Sequence, residues 1–182
     1  MSSRIKLYQD DVNVVVNKIC DEIQARDAEF LPGKWQCFNI AFLDPTGLEL
    51  HWDTVARLAS MGTMDLIINF STSTINRVLG KAKRGTIEAK SAHQFFGTDD
   101  WPQEEPNATY SRRAWIDFYL ERLKSFGYVV DIDPDWGGMD MAVKNSKNSQ
   151  VYSMVFASKH ELGNKFWSQS TKKAQPPKLP GF

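Results

Sequence analysis

The sequence predicts an α/β fold: a mostly parallel sheet wound with helices that closes on an antiparallel strand pair. Three observations carry this. Cys37 to Leu43 (CFNIAFL) and Met64 to Phe70 (MDLIINF) are continuous apolar runs of strand length, of the kind a parallel sheet buries on both faces. Between and around them stand segments with apolar residues at three- and four-residue steps, and strands alternating with amphipathic helices wind into a parallel sheet. The last two strands are joined by a stretch without helical period, which reads as a hairpin connection, so the final strand runs antiparallel.

Each element follows from its local pattern. Arg4 to Gln9 alternates apolar and polar residues (Ile5, Leu7) and predicts a strand end. Val12, Val15, Val16, Ile19 and Ile23 make one stripe, predicting a helix over Val12 to Ala25. Pro32-Gly33 breaks the chain before the first buried strand, which ends at Asp44-Pro45-Thr46-Gly47. Trp52, Val55, Ala56 and Ala59 predict a helix within His51 to Ser60, and Met64 to Phe70 is the second strand. Thr74 to Leu79 reads as a short helix. From Gly80 to Asn107 no period persists, and a connection that long reads as an insert or lid. Trp115, Ile116, Tyr119, Leu120 and Leu123 then line one helix face, with Gly127 placed to end the helix. Tyr128 to Ile132 and Val151 to Ala157 read as strands around a polar, Gly/Asn-rich stretch, and Glu161 to Lys173 as a helix. Residues 1–174 thus form one domain, with 80–108 as its insert or lid and 175–182 as an extended Pro-rich tail.

Composition narrows the function. The chain has 182 residues, about one domain, and carries 22 basic and 22 acidic side chains. That balance argues against a protein that coats nucleic acid, which needs a cationic excess, although Lys81, Lys83, Arg84 and Lys90 could form a local basic patch. No apolar run approaches the roughly 20 residues of a membrane span. The start, MSSRIKLYQDD, has no apolar signal-peptide core. Cys20 and Cys37 lie in separate apolar segments and read as buried thiols, so a cytoplasmic setting is expected.

Candidate functional residues cluster at one strand end. Asp44-Pro45-Thr46-Gly47 closes a buried strand at its carboxyl end, where ligands bind in wound sheets. The same residues suit a type I turn in which Asp44 bonds its own backbone. Asp10 or Asp11 can cap the first helix. His51 lies just beyond the turn, within reach of the cleft or of a capping role. Phe95, Phe96 and Trp101 form an aromatic cluster that either docks a partner or pins the long insert to the domain. His51, His93 and His160 lack metal-ligand spacing with the cysteines, so no metal is expected.

Several segments, in order, resemble the carboxy-terminal part of the three-Cys-motif partner proteins (TcmP). They are Asp11-Val12-Asn13, Phe42-Leu43-Asp44-Pro45-Thr46-Gly47-Leu48, Trp52, Asp65, Phe95-Phe96-Gly97-Thr98 with Trp101, Tyr119 with Leu123, Phe126-Gly127-Tyr128, and Tyr152 to His160. The resemblance spans residues 5 to 170. It implies a three-layer αβα fold, the second half of a class I, Rossmann-like S-adenosylmethionine-dependent methyltransferase sheet.

The resemblance also implies roles. Asp11, with Asn13, would meet the cofactor's adenine, and Asp44 with Pro45 would face the methyl acceptor. Thr46, Gly47, His51, Phe95, Phe96 and Trp101 would meet substrate or partner. Two departures matter. Amino-group methyltransferases hold Asp/Asn-Pro-Pro-aromatic at this strand end, where the ring stacks on an extruded base; here Thr46 and Gly47 replace the second proline and the ring, which weighs against adenine or cytosine N-methylation. The family's Gly-rich turn, which brings the cofactor against a helix start, has no counterpart. The expectation is therefore a shortened member that uses S-adenosylmethionine only with a completing segment. Its partner would be a three-Cys-motif protein or a chain completing the sheet, its acceptor a nucleic acid or a protein. The alternative is a non-catalytic protein- or nucleic-acid-binding module.

Overall fold

The computed structural model describes residues 5–29, 38–79, 86–101, 112–130, 140–147, 150–173 and 178–179. The chain is mixed α/β. It runs α1 (Val12–Ala28), β1 (Asn39–Leu43), α2 (Trp52–Ala59), β2 (Met64–Phe70), α3 (Thr72–Leu79), α4 (Ile87–Phe96), α5 (Arg112–Leu123), β3 (Asp140–Asn145), β4 (Gln150–Ala157), α6 (Glu161–Lys173) and β5 (Lys178–Leu179).

The sheet order is β1-β2-β4-β3-β5, with β5 a two-residue addition to β3. β1 and β2 are parallel, and β4 is antiparallel to both of its neighbours. The expected dominance of parallel pairing is thus corrected: β4 returns from a hairpin and inserts between β2 and β3, so one of the three pairings among the four longer strands is parallel. β1, β2 and β3 nevertheless run in one direction. β5, which lies within the stretch expected to be an extended tail, pairs with β3 in parallel.

The core lies on one face of the sheet. Leu66, Ile68, Phe70, Val155 and Ala157 project from it, each no more than 1% exposed. α4 and α5 cover it with aromatic rings: Phe70 meets Phe95 at 5.3 Å and Tyr119 at 5.1 Å between centroids. Such edge-to-face pairs add about 1 kcal/mol each beyond their buried area. α2 joins through Trp52, 5.0 Å from Tyr119. Lys159, just past β4, donates to the Ala59 and Met61 carbonyls, filling the acceptors left at the end of α2.

The opposite face is covered unevenly. Phe42, Ile67 and Phe156 form one row across β1, β2 and β4. Phe156 stacks on Trp167 of α6 at 5.1 Å and is buried, Ile67 is half-buried, and Phe42 is 59% exposed. The expectation that the first strand is buried on both faces is therefore corrected, because the cover given by α6 ends before it reaches β1. Phe38 and Ile40 are likewise 80% and 63% exposed.

Other elements also differ from expectation. Ile5 to Gln9 belongs to no strand; its alternation serves Lys6 and Tyr8, which both donate to Glu22 on α1. The stretch from Gly80 to Asn107 contains α4, capped by Thr86, whose hydroxyl accepts from the Ala89 amide, and closed by Gly97; residues 80–85 and 102–111 lie outside the described residues. Of the expected strand Tyr128 to Ile132, Val129 forms a single bridge to Ser158, and Asp131 and Ile132 lie outside the described residues. The hairpin partner of β4 is instead β3, inside the stretch read as polar loop. Pro32-Gly33 and Cys37 lie outside the described residues, and Cys20 is a buried thiol.

Two glycines separate conformational strain from steric clash. Gly97 and Gly127 both hold positive φ, 66° and 83°. A Cβ on Gly97 would stand 2.4 Å from the Trp52 ring, whereas one on Gly127 meets nothing within 4 Å. Gly127→Ala should cost about 1 kcal/mol, the left-handed penalty alone. Gly97→Ala should cost about 3 kcal/mol, since overpacking adds to that penalty. Urea denaturation of the two variants checks the difference.

Candidate functional site

Helix α1 begins beside the turn that follows β1, and this junction is the candidate site. Asp11 is the N-cap of α1: its carboxylate accepts from the Asn13 amide at 2.8 Å, and Asp10 in turn accepts from the Asp11 amide. Asn13 ties α1 to the next element. Its Nδ2 donates to the Glu49 carbonyl at 2.8 Å, and its Oδ1 accepts from the His51 amide at 3.0 Å and the Thr54 hydroxyl at 2.7 Å. A side-chain amide with both ends engaged fixes the spacing of two helix starts.

The turn itself is held by Glu49. Its carboxylate accepts from the Thr46 hydroxyl at 2.7 Å and from the Thr46 amide. Partial burial pushes the Glu49 carboxyl up, but the Thr46 hydroxyl and the amides of Glu49, Thr46 and Gly47 outweigh it and hold the group below its ordinary value. Gly47 permits this: a Cβ there would lie 3.0 Å from Glu49 Oε2 and 3.1 Å from Thr74 Cγ2. The expectation that Asp44 holds its own turn is corrected, because Glu49 does so.

Around this turn opens a cleft of about 520 Å³. Asp11, Asn13, Thr46, Gly47, Glu49 and His51 form one side, and Thr74, Arg77, Glu88, Ser91 and Gln94 from α3 and α4 the other. The structure thus brings together five of the residues singled out by sequence. His51 precedes α2 as its N-cap without a side-chain capping bond, which leaves its ring at the cleft wall.

Asp44 and Pro45 do not line the cleft. Asp44 continues the alternation of β1 onto the face of Phe42, and its carboxylate accepts from Asn69 Nδ2 at the end of β2. Asn69 Oδ1 is buried and has no hydrogen-bond partner among the described residues. Phe95, Phe96 and Trp101 are 1%, 0% and 7% exposed. They are therefore not an exposed docking patch: Phe96 stacks on Trp101 at 6.1 Å and packs edge-on to Phe118 and Tyr119, which pins the chain beyond α4 to α5.

Sequence reasoning missed Glu49, Asn69, Arg77 and, on α4, Glu88, Ser91 and Gln94. For Glu49 a signal existed: Thr46-x-x-Glu49 has the spacing of a capping box, in which the glutamate reaches back to the threonine amide. Asn69 carries no local signal, because its partner lies on another strand.

Ser158, Lys159 and His160 form no catalytic set. Ser158 is buried and its Oγ accepts from the His160 amide, while Lys159 caps α2. Among the described residues no group of three His, Cys, Asp or Glu side chains is placed to hold a metal ion, and no helix is long and apolar enough to cross a membrane. No family model, curated protein or solved structure matches the chain.

Asn13→Ala removes all three hydrogen bonds of the brace between α1 and α2 and should cost about 2 kcal/mol in urea denaturation. Glu49 gives a pH signature. Its folded pKa is depressed, so its stabilising contribution is full above the unfolded value of about 4.3 and is lost as pH falls through the lower folded value. The stability gap between the native chain and Glu49→Gln should therefore be constant near neutral pH and shrink in acid. Parallel urea titrations across pH check this.

Proposed function

We propose that this chain is a TcmP-like, methyltransferase-type partial domain that acts in a complex, its cleft taking the nucleoside end of S-adenosylmethionine when a completing segment supplies the Gly-rich turn. The observation that carries this reading is the sheet. Two parallel strands followed by an antiparallel pair, with the last of the pair inserted beside them, is the closing pattern the resemblance implies. The cleft then opens at the carboxyl end of β1, where wound sheets bind ligands.

The residues present fit one end of that cofactor. Asp11, Glu49 and Glu88 put three carboxylates in the cleft wall against Arg77 and His51, a surplus of acceptors suited to an amine-bearing base. Glu49 spends its acceptors on the turn, which leaves Asp11 as the acceptor nearest the predicted role. The amides around Thr46 and Gly47, which could otherwise meet an anionic group, already hold Glu49. A completing segment must therefore hold the amino-acid end. When bound, the cofactor supplies the transferable methyl group; Asp44, steadied by Asn69, would accept a hydrogen bond from the acceptor's N–H group on a nucleic acid or a protein.

The non-catalytic alternative draws its support from the uncovered apolar stripe of β1 rather than from the buried Phe95, Phe96 and Trp101. By resemblance, a three-Cys-motif protein is the partner this second reading expects, whereas the first expects a chain that completes the sheet.

Calorimetric titration of the chain alone with S-adenosylmethionine should give no measurable binding. Micromolar affinity would remove the need for a completing segment. Adenosine tests the cleft separately: it should shift the amide resonances of Gly47 and His51, and bind at least about fivefold more weakly to Asp11→Ser, which keeps a helix-capping oxygen but loses the carboxylate. Adenosine that leaves those resonances unmoved at millimolar concentration sinks the nucleoside assignment.

A further inference from the structure

We propose that the cleft reads its nucleoside as a 6-aminopurine along two edges, with Gln94 of α4 meeting the edge that Asp11 leaves open. This rests on the nucleoside reading of the cleft and adds a second base-reading residue to it.

The polar groups of the cleft divide into spent and unspent. Asn13 has both ends of its amide on the scaffold. Thr46 and Glu49 hold each other. On the far wall the Ser91 hydroxyl donates to the Ile87 carbonyl at 3.1 Å. Gln94 lies about one turn further along the same helix, half-buried, and lines the cleft without a hydrogen-bond partner among the described residues. Its place is fixed, because Ala92, Phe95 and Phe96 on either side of it are buried in the core.

The unspent amide has a particular complement. A primary amide presents a donor and an acceptor side by side, whereas Arg77 on that wall offers donors alone and an ionised Glu88 acceptors alone. Adenine shows the matching pair on one edge, the N6 amine beside the N7 acceptor, and an amide side chain engages both at once. Across the cleft, Asp11 keeps one carboxylate oxygen after capping α1, enough for one N6 hydrogen. The two hydrogens of the amine are then divided between the walls. Asp11 takes one, Gln94 Oε1 takes the other, and Gln94 Nε2 donates to N7. A 6-oxopurine turns an acceptor toward both of these oxygens and leaves them unpaired. Leu48, Val78 and Ile87 give the lining its apolar part, suited to the faces of a flat ring. Ile87 is 83% exposed, an apolar side chain at the cleft that the protein itself leaves uncovered.

A cycle between one side chain and one ligand atom tests this. Adenosine, 7-deazaadenosine (N7 replaced by C–H) and inosine are titrated into the native chain and into Gln94→Met, following the Gly47 and His51 amide resonances. Methionine keeps the length of glutamine and removes its polar atoms, and circular dichroism checks that the variant folds. The native chain should bind 7-deazaadenosine at least about fivefold more weakly than adenosine, one hydrogen bond's worth, and inosine at least about tenfold more weakly. Gln94→Met should bind adenosine and 7-deazaadenosine within about twofold of each other. Equal binding of adenosine and 7-deazaadenosine by the native chain overturns the inference. So does native binding of inosine as tight as that of adenosine, or full discrimination against 7-deazaadenosine retained by Gln94→Met. In each of these cases adenosine still binds, so the nucleoside reading stands. A native chain that adenosine does not touch removes that reading and this inference together.

Discussion

The structure depends on the packing around Tyr119. Four rings from three other elements meet it: Trp52 at 5.0 Å, Phe70 at 5.1 Å, Phe95 at 5.3 Å and Phe96 at 6.4 Å between centroids. α2, β2, α4 and α5 therefore share one apolar centre. Arg122 closes it from the side, its guanidinium 4.3 Å from the Trp52 ring and its pKa lowered by burial. If α4 did not dock there, Glu88, Ser91 and Gln94 would not face the β1 turn, and the far wall of the cleft would be left to Thr74 and Arg77 of α3. The aromatic residues that sequence offered either as a docking patch or as a pin for the long insert thus hold the α4 wall of the site in place.

A second constraint works by hydrogen bonds. Asn13 spaces the start of α1 from the start of α2, and Glu49 closes the turn between β1 and α2. Both side chains spend their polar atoms on the scaffold. The consequence is chemical: a carboxylate held below its ordinary pKa by these donors is a weaker base, and the Thr46 amide is already engaged. Asp11 is a cap and still a cleft residue, because capping uses one carboxylate oxygen and leaves the other.

What was legible in the sequence follows the range of the forces involved. Helices α1, α2 and α5 were visible from their apolar stripes and strands β1, β2 and β4 from apolar runs, and α3 and α6 were also read as helices. α4 was missed, although Thr86 and Gly97 mark its ends, because Ile87 points to solvent and only Ala92, Phe95 and Phe96 enter the core. β3 was missed because half of Asp-Met-Ala-Val-Lys-Asn is polar, and pairing with β4 overrides that local signal. The cleft side of the site was readable from Asp11, Asn13, Thr46, Gly47 and His51, which lie in two short segments. Its separation from Asp44 was not, since the two faces of β1 diverge at every residue and the apolar run gave no sign of which face lay open.

That last ambiguity decides how the molecule must work. A run such as Phe38 to Leu43 is written for a strand covered on both sides, yet one side of β1 is bare while the same face of β4 is roofed by α6. Apolar burial of this kind contributes about 25 cal/mol for each Å² removed from water, so leaving three large side chains exposed forgoes several kcal/mol. Asp44 and Asn69 lie on that same open side, at the carboxyl ends of the two parallel strands. Any group that packed on this face of β1 would therefore also border Asp44. The carboxylate proposed to meet a substrate and the exposed apolar stripe of β1 thus share one face of the sheet.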